Sequence, residues 1–222
     1  MLTRYGTDVI IGVAITVIVL VVLALWSDEI WVRVALLLIA GFLAVFSLNF
    51  FRDPDRTVDT GGKPLDEVVI SPADGKVVLI KEVDENEYLH SKAIMISIFM
   101  SPLNVHVNRI PANGVIEYLR YAPGKFLVAS DEAAASENER QLIGLNTNGR
   151  KLLFNQVTGY VARRIVCTLK MGDSVKVGER FGMIKFGSRV DVYLPLGTTL
   201  FVKEGDITQA GTTAIAQWQN AR

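Results

Sequence analysis

The chain is short of the residues that build several common kinds of site. It has one cysteine, Cys167, in 222 residues. A single thiol excludes an intrachain disulfide framework and a thiolate zinc cluster. Two histidines, His90 and His106, leave little for a histidine-rich centre, so no metal site is expected. There is no excess of charge, since 23 basic side chains balance 23 acidic ones. A nucleic-acid binder carries a basic excess, so no nucleic-acid partner is expected. Charge of either sign is sparse, at 21% of residues. Half the residues are apolar and mean hydropathy is +0.32, which excludes a disordered chain.

What charge there is avoids the N-terminus. Residues 1–51 hold five charged side chains: Arg4, Asp8, Asp28, Glu29 and Arg33. Val9 to Ser27 and Val34 to Phe51 are free of charge. Each run is long enough to cross a bilayer core of about 30 Å at about 1.5 Å per helical residue. Trp26 and Trp31 bracket the short polar link between them, as interfacial tryptophans do. A cleaved signal peptide is the competing reading. Ala24-Leu25-Trp26 is no small-x-small cleavage site, and a second spanning run follows at once. A transmembrane hairpin over residues 1–51 is therefore expected. Arg4 precedes the first run and Arg52, Arg56 and Lys63 follow the second. The positive-inside rule then puts both ends, and the domain that follows, on the cytoplasmic side of the cell (inner) membrane.

Beyond the hairpin the pattern changes. Asp53-Pro54, Gly61-Gly62 and Lys63-Pro64 mark a linker over 52–65. Residues 66–222 then show short apolar runs rich in Val, Ile, Tyr and Phe. Examples are Lys76 to Ile80, Ala93 to Phe99, Val115 to Tyr121, Leu152 to Val157, Arg180 to Phe186 and Val190 to Leu194. Such spacing predicts a mainly β (α+β) fold, a barrel-sandwich-like β domain of short strands. Asp131 to Leu142, with three consecutive alanines, is the one stretch expected to be helical. A weak repeat is also present. Gly172-Asp173 through Gly178 is echoed by Gly205-Asp206 through Gly211, the pattern of paired turns in a biotinyl- or lipoyl-type domain. A carrier or adaptor of that type needs an exposed lysine in its own hairpin. Lys170-Met171 abuts the Gly172-Asp173 turn and imitates that poorly.

The segments that bear chemistry come in a fixed order. Phe51-Arg52-Asp53-Pro54 is followed by Ser71-Pro72-Ala73-Asp74-Gly75-Lys76-Val77. Next come Met100-Ser101-Pro102-Leu103-Asn104-Val105-His106-Val107-Asn108-Arg109-Ile110-Pro111 and Pro123-Gly124-Lys125-Phe126. Glu137-Asn138-Glu139-Arg140 and Val161-Ala162-Arg163-Arg164-Ile165 follow. The series ends with Gly178-Glu179-Arg180 running on to Phe186-Gly187-Ser188-Arg189-Val190-Asp191. Each block is weak alone. Together they resemble the phosphatidylserine decarboxylase family, in its short, archaeal-type branch, from about Phe50 to Pro195.

The resemblance implies a pyruvoyl-dependent lyase that makes its cofactor from Ser188. Ser188 Oγ attacks the carbonyl of Gly187, and glycine leaves that carbonyl sterically open. Elimination and hydrolysis then leave two chains, 1–187 and 188–222, with a pyruvoyl group heading the second. That group forms a Schiff base with phosphatidylserine in the bilayer and acts as the electron sink for loss of CO2, yielding phosphatidylethanolamine. A serine hydroxyl needs a base, and His106 suits that role with its near-neutral intrinsic pKa. In an alternating Val105-His106-Val107 run it reads equally as a strand residue bonded to backbone. Asp74 reads as a turn residue or as the group that orients and charge-balances the histidine. Arg109, Arg189, Lys125 and Arg163 are the cations expected to meet the phosphodiester and carboxylate. The chain departs from longer members in one respect. Arg109 stands three positions after His106, where those members carry a second histidine. His90 lies outside every matched block and is expected on the surface. A pyruvoyl decarboxylase of another amino acid and a non-catalytic membrane-anchored adaptor are the alternatives. Oligomeric state is left open, a homo-oligomer included.

Overall fold

The structure is a computed structural model and describes residues 1–128, 134–160, 164–185 and 188–218. Contacts divide the chain into two compact units, Met1–Pro54 and Asp55–Arg222.

The first unit is a helical hairpin. Helix α1 spans Thr7–Trp26 and α2 spans Ile30–Phe50. Both are long and apolar enough to cross a membrane. Large apolar side chains such as Ile18, Leu38 and Phe42 stand exposed on them, which suits lipid and not water. The last carbonyls of a helix lack partners inside it. Here Arg33 turns back across the link and donates from Nε to Ala24 O at 3.3 Å and from Nη2 to Ser27 O at 2.8 Å. Its charge also complements the negative end of the α1 dipole. The open ends of the hairpin are tied by backbone bonds, Thr3 N–H to Phe51 O at 2.9 Å and Asp53 N–H to Met1 O at 2.7 Å.

Among the described residues, the regular elements of the second unit are strands with one short helix. Its elements are β1 (Val68–Ile70), β2 (Gly75–Glu85), β3 (Ser91–Met100), β4 (Val107–Arg109), β5 (Gly114–Ala122), α3 (Ala134–Glu137), β6 (Arg140–Thr147) and β7 (Arg150–Val157). They continue with β8 (Arg164–Cys167), β9 (Ser174–Val175), β10 (Arg180–Lys185), β11 (Ser188–Pro195), β12 (Thr199–Leu200), β13 (Ile207–Thr208) and β14 (Ala214–Gln217). An eight-stranded antiparallel sheet has the order β13-β2-β3-β11-β7-β6-β5-β9. Two three-stranded sheets, β4-β10-β8 and β1-β14-β12, accompany it.

Strand alternation sorts the core. Val190, Val192 and Leu194 of β11 join Ile96, Ile98, Met100, Leu152 and Phe154 in the main apolar cluster. The intervening Tyr193 joins Met95, Leu153 and Tyr88 in a second cluster on the other face. Both faces of the central strands are thus covered, so β11 is buried from Ser188 to Leu194.

The helix expected over Asp131 to Leu142 is a correction. Among the described residues of that stretch only Ala134–Glu137 are helical, and β6 begins at Arg140. Residues 131–133 lie outside the described residues. Tertiary pairing overrides helix propensity here. Arg140 to Leu142 complete a ladder between β5 and β7, in register with Val157 to Asn155.

The glycine-aspartate repeat has the geometry its spacing implies. Gly172, Gly178, Gly205 and Gly211 all have positive φ, from 71° to 97°. In each copy the aspartate accepts from a backbone N–H three residues earlier. Lys170 N donates to Asp173 Oδ2 at 2.8 Å, and Lys203 N donates to Asp206 Oδ2 at 3.0 Å.

Candidate active site

The site forms because strand register brings distant segments to one end of the large sheet. Ser188, the first residue of β11, pairs with Met100, the last of β3. Arg189 pairs with Val157 at the end of β7, which in turn pairs with Arg140 at the start of β6. Arg140 pairs with Ala122 at the end of β5. On the other side Lys76, at the start of β2, pairs with Phe99. Asp74, the loop that carries His106 and the loop that carries Lys125 all leave strands at this end. His90 sits in the turn between β2 and β3, at the opposite end, and is exposed there.

Ser188 is fully buried, and its Oγ lies 3.5 Å from Met100 Sδ. His106 is also fully buried. Its Nδ1 is 2.9 Å from the carbonyl oxygen of Asn104. A carbonyl can only accept, so Nδ1 carries the proton, and in the neutral ring Nε2 carries the basic lone pair. The turn that presents it is closed by Asn104, whose Oδ1 accepts from Ser101 N at 2.9 Å and from Ser101 Oγ at 2.8 Å.

Asp74 is 7% exposed and bound on three sides. Arg56 Nη1 contacts Oδ1, Arg56 Nη2 donates to Oδ2 at 2.7 Å, and Ala210 N–H donates to Oδ1 at 2.8 Å. Arg56 Nη1 also donates to Ala210 O at 2.8 Å. Sequence reasoning left Arg56 in the linker and gave it no role in the site.

The four expected cations are in different situations. Arg109 is buried and its Nη1 donates to Gly178 O at 3.0 Å. Lys125 is exposed beside Glu137, 2.8 Å away, whose carboxylate raises the lysine's pKa. Arg189 is fully buried and held by Asp191, with Nε to Oδ1 at 2.8 Å and Nη2 to Oδ2 at 3.1 Å. Strand alternation turns Arg189 to the face opposite Ser188. Arg163, like Gly187, lies outside the described residues.

Two buried amides were missed by sequence reasoning. Asn108 Nδ2 lies 3.7 Å from Met100 Sδ and 3.4 Å from Pro72 O. Gln156 Nε2 donates to Asn108 Oδ1 at 2.9 Å. Asn108 stood inside a quoted motif, but nothing in the chain pointed to Gln156. Cys167 is half-buried, and burial pushes its thiol pKa up, so it is no activated nucleophile.

Fold and site together define a β-domain protein with a membrane-length helical hairpin and a buried serine and histidine at one sheet end. The comparisons with known proteins narrow that class. The family model described as phosphatidylserine decarboxylase matches residues 43–216. A phosphatidylserine decarboxylase proenzyme of Chlorobium luteolum is 47% identical over 218 residues, 98% of this chain and all of that protein. A proenzyme of the same name from Salinibacter ruber is 50% identical over 87% of this chain and 85% of its own length. The chain belongs to the phosphatidylserine decarboxylase family.

Proposed function

We propose that this chain is a proenzyme that cuts itself between Gly187 and Ser188 and then converts phosphatidylserine to phosphatidylethanolamine. The observation that carries the reading is Ser188. It is a buried hydroxyl at the first position of a central strand, at the sheet end shared by His106 and Asp74. Family membership and the proenzyme names of the relatives support it.

A pyruvoyl group made from Ser188 fits these surroundings. The Ser188 side chain faces Met100 with no solvent exposure, so a keto group there would be shielded from bulk water. The chemistry such a group supplies is a carbonyl that binds the substrate amine and withdraws electrons as CO2 leaves.

The residues then divide the work. His106 takes the Ser188 hydroxyl proton at Nε2 and later handles protons in the decarboxylation, while the Asn104 carbonyl fixes its tautomer. Asp74 is assigned to orienting the histidine, and Arg56 holds that carboxylate in place. Lys125 and Arg109, with Arg163, are assigned to the phosphate and carboxylate of the headgroup. Arg189 is committed to Asp191, so we assign it to fixing the start of β11 and not to the headgroup. The hairpin keeps the enzyme in the cell membrane with its β domain on the cytoplasmic side. It thereby raises the effective concentration of a lipid substrate.

The test is turnover of phosphatidylserine vesicles by the full chain, read as phosphatidylethanolamine formed, alongside free serine. Activity on the lipid that is lost in Ser188→Ala together with chain cleavage is the expected result. Cleavage with turnover of free serine and none of the lipid would move the assignment to another amine substrate.

A further inference from the structure

The amides of Asn108 and Gln156 are buried, Asn108 touches the Met100 sulfur that Ser188 also touches, and their orientations are fixed by backbone. Gln156 is fully buried on β7, opposite Val190, on the sheet face that Ser188 shares. Its Nε2 lies 3.3 Å from Val166 O and 2.9 Å from Asn108 Oδ1. A carbonyl oxygen accepts and cannot donate, so the Gln156 nitrogen is the group that faces Val166 and Asn108. Asn108 must then present its oxygen to Gln156 and its NH2 away from it. That NH2 meets Pro72 O at 3.4 Å and Met100 Sδ at 3.7 Å. Thioether sulfur is a weak acceptor, so one strong donor is only weakly engaged. The same sulfur lies 3.5 Å from Ser188 Oγ. At most the sum of those two sulfur distances separates the amide donor from the hydroxyl.

The packing shows that the arrangement is built in. Asn108 on β4 pairs with Gly182 on β10. A Cβ at Gly182 would sit 3.1 Å from Gln156 Nε2 and 2.1 Å from Val166 O. Glycine at 182 therefore keeps room for the Gln156 amide and the carbonyl that orients it.

We propose that Asn108 Nδ2 is the donor that stabilises the oxyanion of self-cleavage, and that Gln156 is the positioning residue that aims it. The inference rests on the self-cleavage reading above. In the step concerned, Ser188 Oγ loses its proton to the base and bonds to the carbonyl carbon of Gly187. The carbonyl electron pair moves onto oxygen, which becomes the oxyanion. Collapse re-forms the carbonyl and breaks the carbon–nitrogen bond. The Ser188 nitrogen takes the proton and becomes an amine, leaving an ester at Oγ. A donor trading a weak sulfur contact for an oxyanion gains strength only as that charge forms, which is the condition for catalysis.

The experiment follows cleavage of freshly synthesised full chain in detergent micelles, as appearance of the 188–222 fragment on a denaturing gel. It is run with and without hydroxylamine, which cuts an ester but not an amide. Asn108→Leu is expected to slow cleavage on the order of 100-fold or more, the usual effect of losing one oxyanion donor. Hydroxylamine is expected not to restore it, because the ester itself forms slowly. Gln156→Met should slow cleavage roughly 10-fold, and the double variant should be no slower than Asn108→Leu, since the two act as a unit. Asn108→Asp keeps the oxygen that faces Gln156 but replaces the donor by an acceptor that carries negative charge, so it should be at least as slow as Asn108→Leu. It serves as the test if the leucine variant does not fold. Wild-type cleavage rates in Asn108→Asp, or rescue of it by hydroxylamine, would overturn the inference. A wild-type chain that never cleaves would instead remove the self-cleavage reading.

Discussion

Arg56→Met tests what holds Asp74 in the site. The change keeps the length and much of the apolar stem of the side chain and deletes its donors. Both side chains of the pair are 10% exposed. In the variant the Asp74 carboxylate keeps Ala210 N–H and loses both nitrogens of Arg56. A nearly buried charge stripped of its partner costs about 3–5 kcal/mol. The contact of Arg56 with Ala210 O is lost as well, so the lower half of that range is a firm minimum expectation. Asp74→Asn leaves a neutral acceptor for Ala210 N–H and for Arg56, and should cost about 2 kcal/mol. Urea unfolding of the full chain in micelles measures both. Trp218, 4% exposed, reports on the β domain once Trp26 and Trp31 are replaced by phenylalanine. With a slope of roughly 1–3 kcal/mol per molar urea, Arg56→Met should lower the midpoint by about 1 M or more. The double variant should reveal a coupling energy of at least about 1.5 kcal/mol. Coupling below about 0.5 kcal/mol would show that the pair behaves as an exposed one and would refute the reasoning. Cleavage rates separate the two roles of Asp74. A catalytic charge predicts that Asp74→Asn slows cleavage more than Arg56→Met does under conditions where both stay folded.

Other consequences follow from the packing. Gly182→Ala should cost about 1–3 kcal/mol by overpacking, because its methyl meets Val166 O at 2.1 Å. It should also slow self-cleavage by displacing Gln156, and a thermal melt and a cleavage time course on one preparation check both effects. Burial raises the pKa of the Tyr193 phenol, helped by Asp191, and burial with the bond to Glu117 raises that of Tyr88. The folded state therefore favours the neutral phenols. Their contribution is intact below about pH 10, the unfolded value, and is lost as pH rises above it. Circular dichroism melts from pH 8 to 11 should show that decline in the wild type and a shallower one in Tyr88→Phe/Tyr193→Phe. Equal declines would remove these phenols from the explanation. His106→Ala should slow both chain cleavage and lipid decarboxylation, each measured by its own assay. An effect on neither would remove His106 from the site.

Much of this architecture was legible in the chain because its causes are local. Charge-free runs of spanning length, flanking tryptophans and Gly-Asp turns depend on neighbours in sequence, and the structure contains helices and positive-φ turns at those positions. Strand β6 was misread although its signal was present. Asn148-Gly149, with φ of 52° and 86°, is the two-residue turn that joins β6 to β7, and Asn-Gly between alternating apolar residues announces a hairpin. The three alanines before it favour helix, and the strand pairing overrides that propensity. Asp191, two residues on from Arg189 along a strand, shares its face, and that pairing follows from alternation alone. The partnership of Arg56 with Asp74 and of Gln156 with Asn108 had no local cause. Each joins segments that only the sheet register brings together, so no spacing in the chain could reveal it.

The central claim is that the chain is cut before Ser188 and that this residue becomes the cofactor. Mass spectrometry of the purified, active protein tests it most directly. The expected result is a C-terminal chain of residues 188–222 that resists Edman sequencing and is lighter by one ammonia than the same peptide beginning with serine. An active protein that remains a single intact chain of 222 residues would contradict it.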